Sequence, residues 1–242
     1  MERLSVQSPL TERVYDALLD AICDGDLAPG SRLTQDELAA RLDVSRQPVL
    51  QALLLLRSQG FVRDSGRRGV EVAPLDPAFI AHLYEVRSAL DGVACRGAAR
   101  NGAAEAALRG PALIAEGRAA VAAGSVGRMI AADIGFHQFL YALSGNPIIG
   151  ETASLHWRHI RRAMGGYLGR YAARDTIWNE HEKILRAVAR GDAVEAEALA
   201  RRHCDVAGGN LVESISAEAA RQAETPPRRK NAAGGIRGRN GS

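Results

Sequence analysis

Aromatic residues are scarce, at 5% of 242 positions, and alternating runs of Val and Ile are rare. Strands draw on β-branched and aromatic side chains, so this scarcity argues against a β-rich core and for a mainly helical one. Long apolar runs are also missing: no segment reaches the roughly 18 consecutive apolar residues of a transmembrane helix. The opening MERLSVQSPLTERVYDALL has no basic-then-apolar signal-peptide pattern, and the expected location is the cytoplasm. Cysteine is limited to Cys23, Cys95 and Cys204, an odd and widely spaced set. That set implies neither a disulfide framework nor a zinc knuckle, and each thiol reads as a small buried hydrophobe. No charge of one sign dominates. The net charge is +3, and residues 1–75 carry nine Arg against eleven Asp and Glu. The tail after Glu224 holds Arg228, Arg229, Lys230, Arg237 and Arg239. Bulk charge therefore does not identify a nucleic-acid partner; local placement has to.

Hydrophobic residues, mostly Leu and Ala, supply 46% of the chain, enough for a substantial core in one large domain or two ordinary ones. Thr11 to Asp24 has helical spacing, with Val14, Leu18, Ala21 and Ile22 in one stripe. GDLAPGSRL (25–33) interrupts it with two glycines and a proline. Thr34 and Glu37 stand at capping-box spacing and open a second helix that turns Leu38, Ala39 and Leu42 inward. After Asp43-Val44, Ser45 is an N-cap, and Pro48 falls in the first turn, where its missing N–H costs nothing. Val49, Ala52, Leu53 and Leu56 continue at helical spacing, and Gly60 ends the helix. FVRD and GVEV, joined by SGRR, read as a hairpin.

Helix, capped helix, turn, helix and hairpin is the order of a winged helix-turn-helix, whose second paired helix enters the major groove by its N-terminal residues. Arg46 and Gln47 are long donors at that end, and Ser45 with the helix-start amides suits a phosphate. Thr34 and Gln35 at the start of the preceding helix join the candidate contacts. The hairpin tip Arg67-Arg68-Gly69 suits the DNA backbone or minor groove, with glycine permitting close approach. A small helical bundle with a solvated arginine tip is the alternative. The segment AICDGDLAPGSRLTQDELAARLDVSRQPVLQALLLLRSQGFVRDSGRRGVEV resembles the winged helix of the GntR family, over roughly residues 11–73. It has the Gly-x-Leu-x-Pro-Gly turn, Leu-Ala before Val-Ser-Arg-x-Pro-Val, then Ala-Leu, a glycine and an Arg-Gly wing. The resemblance implies binding to double-stranded DNA. One position departs: Leu50 stands where the family usually has arginine, one turn beyond Arg46 on the same face. A phosphate or guanine contact is lost there, and contact with a thymine methyl becomes available.

APLDP (73–77) reads as a linker, with Asp76 as N-cap and Pro77 in the first helical position. Six helical segments follow, near 77–101, 104–122, 126–143, 147–168, 175–190 and 193–222, with SGNP (144–147) and RGD (190–192) as turns. The composition from residue 223 onward reads as a disordered basic tail. Asp133 and His137 are spaced i, i+4 on a helix face shared with Ile130, Phe136 and Leu140, so both point inward. A buried carboxylate is costly unless paired or bound to a cation. His181 shares its stripe with Ile177, Ile184, Leu185 and Val188, and His203 with Leu199, Ala200 and Val206. Each histidine alone reads as a hydrogen-bonded core residue, and Asp133 as an acceptor for His137. Three inward histidines with an inward aspartate suit zinc, nickel, manganese or iron.

The pattern D-x-x-F-H…SGNP followed by EHEKILRAVARGDAVEAEALARRH resembles the FCD ligand-binding domain of the FadR-type branch, over about 76–222. The resemblance implies that Asp133, His137, His181 and His203 hold a divalent ion, zinc first, inside a helical bundle. It also implies a small carboxylate effector at the open positions of the ion. Arg87 in LYEVRSALD matches the family's pocket-facing arginine, with a surface arginine as the alternative, and Asp91 replaces the family's usual Glu. HWRHIRRAM offers His156, Arg158, His159, Arg161 and Arg162 as further pocket candidates, with Arg161 preferred.

The expected protein is thus mainly α, with a winged helix-turn-helix at 1–75, an FCD-like effector, metal and dimerisation domain at 76–222, and a tail at 223–242. Its expected function is a non-enzymatic transcriptional repressor, a homodimer on palindromic half-sites with no membrane partner. A small organic acid at the metal site would control it. A metalloenzyme with an appended DNA-binding domain and a DNA binder that ignores ligands are the alternatives.

Overall fold

The apolar stripe on Thr11–Asp24 needs a partner, and it finds one in the third helix. In the computed structural model, which describes residues 9–66, 69–168 and 174–224, α1 (Pro9–Asp24) buries Val14, Leu18 and Ile22. They join Val49, Ala52, Leu53 and Leu56 of α3 (Arg46–Ser58) in one cluster closed by Phe61 and Val72. Between them, α2 (Gln35–Leu42) is capped by Thr34, whose Oγ1 accepts the Glu37 N–H at 3.3 Å. The Thr34 hydroxyl donates in turn to Glu37 Oε2 at 2.8 Å. Asp43 ends α2 in the left-handed region, with φ of 51°. An aspartate tolerates that conformation better than most residues. Of the four successive leucines, Leu54 is 45% exposed. The helical period carries it outward, whereas Leu53 and Leu56 go inward.

The wing is a three-stranded antiparallel sheet, ordered β1-β3-β2 from β1 (Arg32–Leu33), β2 (Val62–Asp64) and β3 (Val70–Val72). Val62 faces Val72 and Asp64 faces Val70, as a hairpin requires. Strand β1 went unread in the sequence. Two residues carry no period, and β1 exists only because Arg32 and Leu33 pair with Glu71 and Val70 across nearly forty positions. The expected tip arginines Arg67 and Arg68, and the expected disordered tail beyond Glu224, lie outside the described residues.

Among the described residues, the second half contains six helices: α4 (Pro77–Asn101), α5 (Ala103–Ala122), α6 (Val126–Leu143), α7 (Pro147–Leu168), α8 (Arg174–Ala189) and α9 (Ala193–Glu224). Their ends fall close to the expected ones because local chemistry marks them. Asp76 Oδ1, for example, accepts the Ala78 N–H at 2.9 Å ahead of α4. Helix α4 packs along α9, and α5 lies against both α6 and α8. Among the described residues, no helix is long and apolar enough to cross a membrane.

Two glycines, Gly110 against Leu185 and Gly117 against Trp178, set how closely α5 meets α8. A Cβ on Gly117 would fall 1.9 Å from the Trp178 ring, and that ring stands edge-on to His181 with centroids 4.8 Å apart. Gly117→Ala is therefore expected to overpack the bundle by about 1–3 kcal/mol, a fall in Tm of roughly 2–12 °C by circular dichroism. An unchanged Tm would show that the two helices are free to separate.

Candidate functional site

The N-terminal end of α3 is presented to solvent. Ser45 is its N-cap, with φ −70° and ψ 164°, and its side chain makes no capping bond, which leaves the hydroxyl available to an external phosphate. Ser45, Arg46 and Gln47 are all exposed. Arg46 Nε lies 2.5 Å from Asp36 Oδ1, an ion pair with both side chains largely in solvent. A groove runs from this pair between α2, α3 and the wing. Thr34 and Gln35 form one wall, Arg46, Leu50 and Leu54 the floor, and Gly69 the wing side. Five of the sequence-selected DNA contacts thus line one groove, with Ser45 and Gln47 beside it. Leu50 shares the groove with Arg46. Leu50→Arg is expected to alter operator preference and steepen the salt dependence of binding, because it adds one phosphate- or guanine-competent cation. Unchanged preference and slope in a binding-site selection would place Leu50 away from the DNA.

The second constellation lies in the helical half. His137 on α6, His181 on α8 and His203 on α9 are all buried, and one ring nitrogen of each falls within 4.8 Å of the others. Carboxylates set the ring tautomers of two of them. His137 Nδ1 donates to Asp91 Oδ2 at 3.0 Å, and His203 Nδ1 donates to Glu180 Oε2 at 2.7 Å. In its neutral form each ring would carry its proton on Nδ1 and leave Nε2 able to ligate. The His203 Nε2 lies 3.1 Å from His181 Nε2, which is itself 3.5 Å from Asp133 Oδ1. Among the described residues His137 Nε2 and His181 Nδ1 have no hydrogen-bond partner, although both are buried. Lone pairs converging in a buried site are unfavourable unless a proton or cation lies among them. Burial pushes His181 well below its ordinary pKa, reinforced by His203, His137 and Arg87, and burial chiefly lowers His137 too. Both are neutral at pH 7, the form in which imidazole binds a metal.

Asp91 connects this centre to Arg87. It receives bonds from His137, from the Cys204 thiol at 3.1 Å and from the Tyr141 hydroxyl, with Arg87 Nε 3.4 Å away. Burial opposes its ionisation, yet His137 and Arg87 outweigh burial and hold its carboxyl below the usual range. Arg87 is 3% exposed, so it is no surface arginine. Its guanidinium sits 4.1 Å from the Trp157 ring centre, and Nη1 donates to Tyr84 at 3.3 Å. Nη2 stands 4.0 Å from Asp133 Oδ2. Neither Nε nor Nη2 makes a hydrogen bond among the described residues. Arg87, Asp133, Glu180 and His203 share the wall of a cavity of about 60 Å³, with Tyr84 and Asn210. Such a cavity suits a ligand of a few heavy atoms, not an acyl chain.

Arg161 is not in this cavity, contrary to expectation. Its Nη1 bonds Asp20 Oδ1 at 2.6 Å and its Nη2 bonds Asp24 Oδ1 at 3.1 Å, both on α1. Two exposed carboxylates there satisfy the cation without the desolvation that a buried position would demand. Three other α7 candidates also turn away from the cavity: Arg158 donates to Tyr15, His159 to the Gln59 carbonyl and Arg162 to the Ala73 carbonyl, and His156 is not among the residues that line it. Trp157 and Met164 are the α7 residues that reach the site. Sequence reasoning missed Glu180, Tyr141 and Trp157. Tyr141 had a local signal, four residues after His137 on the same helix face. Glu180 had none, since its contact depends on how α8 crosses α9.

A winged helix-turn-helix joined to a helical bundle with a buried imidazole cluster and a buried arginine defines a DNA-binding transcriptional regulator. Residues 10–72 match the bacterial regulatory proteins of the gntR family, and residues 82–206 match the FCD domain. The chain belongs to the GntR family, in the FadR-type branch that carries an FCD domain. It is 30% identical over 192 residues to an uncharacterized HTH-type transcriptional regulator in an unstable DNA locus of Streptomyces ambofaciens, covering 78% of this chain and 80% of that protein. It is 24% identical to the HTH-type transcriptional repressor RspR of Escherichia coli strain K12, over 80% of this chain and 86% of that one. Among solved structures, a GntR transcriptional regulator from Rhodococcus sp. RHA1 superposes with a TM-score of 0.71 at 26% identity, covering 85% of this chain and 99% of its own.

Proposed function

We propose that the protein is a repressor that binds operator DNA as a homodimer and responds to a small organic acid held at a divalent-metal site. Residues 1–75 form the DNA-binding domain in this reading, and residues 76–222 the effector and dimerisation domain. Arg46 and Gln47 read base edges, while Ser45, Thr34, Gln35 and the wing around Gly69 hold phosphates. Two copies related by a two-fold axis would read half-sites one helical turn apart, about 34 Å. Asp133, His137, His181 and His203 would hold the ion, with zinc the first choice for this donor set. When bound, it supplies a Lewis-acidic contact for one carboxylate oxygen. Asp91 and Glu180 keep the His137 and His203 rings in the ligating tautomer. Arg87, whose Nε and Nη2 make ion pairs but no hydrogen bond, would offer its guanidinium to the acid, and the narrow cavity selects short acids.

The observation that carries this reading is the unpartnered nitrogen of His137 beside His181, His203 and the under-bonded Arg87, all in one buried site. The test is fluorescence anisotropy with DNA from the gene's own promoter, at several salt concentrations, with zinc and then with short mono- and dicarboxylic acids. Tight, salt-sensitive binding that a short acid weakens is expected. No binding by the zinc-loaded protein at low salt would refute the reading. Consumption of the acid, in place of reversible stoichiometric binding, would favour a metalloenzyme.

A further inference from the structure

Helix α7 has two working faces. One face meets the buried site: the Trp157 ring lies 4.1 Å from the Arg87 guanidinium and 5.2 Å from the His137 ring, and Met164 forms part of the cavity wall. The other face holds the DNA-binding half. Arg161 bonds Asp20 and Asp24 on α1, Arg158 bonds the Tyr15 hydroxyl at 2.8 Å, and Arg162 bonds the Ala73 carbonyl. The two helices also come close at Gly165, where a Cβ would stand 3.1 Å from the Cys23 carbonyl. His159 Nε2 donates to the Gln59 carbonyl at 2.9 Å, and its ring stacks on Phe61 with centroids 4.1 Å apart at an angle of 4°. Gln59 is the C-cap of α3, and its side chain accepts the Tyr15 hydroxyl at 2.5 Å. The C-terminal end of the reading helix is therefore gripped from α7, directly by His159 and through Tyr15 by Arg158. These two residues immediately follow Trp157 in the chain. A helix moves as a unit, and packed interfaces have discrete arrangements, so a small displacement at one face repositions the other.

We infer that α7 is the element that transmits occupancy of the buried site to the DNA reader, with Trp157 sensing Arg87 and His137 and the Arg158-to-Arg162 seam holding α1 and the end of α3. This inference rests on the regulator reading above. Rearrangement of Arg87 and His137 on ligation shifts Trp157, and the seam converts that shift into a different placement of the two readers in a dimer. Differential contact in the two placements is what makes the coupling thermodynamically possible.

The test uses the full chain and charge reversal at the seam, away from both the metal residues and the DNA groove. The DNA dissociation constant is measured with and without zinc alone for the wild type, for Asp20→Lys/Asp24→Lys, and for that pair combined with Arg161→Glu. Zinc uptake is checked in each by native mass spectrometry. In the wild type, zinc is expected to change DNA affinity within the range of about 5- to 150-fold usual for coupled sites. In the double variant zinc still binds, but the ratio falls to near 1, and Arg161→Glu restores it by remaking the ion pairs with opposite sign. A wild-type ratio in the double variant would overturn the role of the seam while leaving the regulator reading intact. A collapse that Arg161→Glu does not reverse would also count against the seam. If the wild type binds zinc and its DNA affinity does not change, the role of α7 in relaying occupancy of the buried site is overturned, while the acid-responsive reading stands or falls by its own anisotropy test.

Discussion

His181→Ala is expected to abolish stoichiometric uptake of a divalent ion and to erase the rise in Tm that the ion confers. At a free ion concentration 100-fold above the dissociation constant, binding to the folded state alone stabilises it by about 2.7 kcal/mol. For a chain of this size that corresponds to roughly 5–10 °C. The variant also leaves a void where His181 stacks on Phe136 at 4.4 Å and meets Trp178, so its ion-free Tm falls as well. The diagnostic quantity is therefore the ion-dependent increment, measured by differential scanning calorimetry before and after chelation. Asp91→Asn and Glu180→Gln test the outer partners of His137 and His203. Each is expected to weaken ion binding by about 10- to 100-fold, short of abolishing it, since loss of an outer partner misorients a ligand without removing it. If His181→Ala kept the full ion-dependent rise, the buried imidazole cluster would be a structural core and the ion would sit elsewhere.

Arg46→Ala is expected to weaken operator binding by about 1–3 kcal/mol, roughly 5- to 150-fold, and to relax preference at one base pair in each half-site. Arg46 stands at the exposed start of α3, the end that enters the major groove in this class of domain. Its 2.5 Å pair with Asp36 does not oppose this, since both groups are largely solvated and an exposed pair contributes at most about 1 kcal/mol. The salt dependence separates two roles. Loss of a base contact leaves the slope of log affinity against log salt nearly unchanged, whereas loss of a phosphate contact lowers it by about 0.9. Uniform weakening across all DNA sequences with a lower slope would therefore reassign Arg46 to the backbone. Unchanged affinity would remove α3 from the major groove altogether.

The parts of the molecule that were legible in the sequence are those governed by local chemistry. Helix starts at Thr34, Ser45 and Asp76 announce themselves because a side chain three or fewer residues away satisfies or replaces an orphan amide. The inward faces of α1, α3 and α6 follow from a 3.6-residue period that any apolar stripe must keep. Asp133 and His137 were readable as neighbours for the same reason, sharing one helix face. Strand β1, by contrast, is two residues held by partners far away in the chain, and no local pattern encodes it.

The site divides along the same line. The residue types of the cluster were evident, but that His137, His181 and His203 meet is decided by how α6, α8 and α9 pack. The supporting carboxylates Asp91 and Glu180 belong to that packing too, and only the crossing of α8 with α9 brings Glu180 to His203. Arg161 shows the limit most plainly. Its period on α7 left it free to serve either the cavity or a neighbour, and the exposed carboxylates of α1 settled the matter. By itself the sequence determined the helices and their inward faces, because helix geometry and capping act within a turn or two of the chain. Tertiary structure alone decided which imidazoles share a centre and which arginine stays buried there. Those outcomes depend on desolvation and on partners from distant segments, and neither can be read from neighbours in sequence.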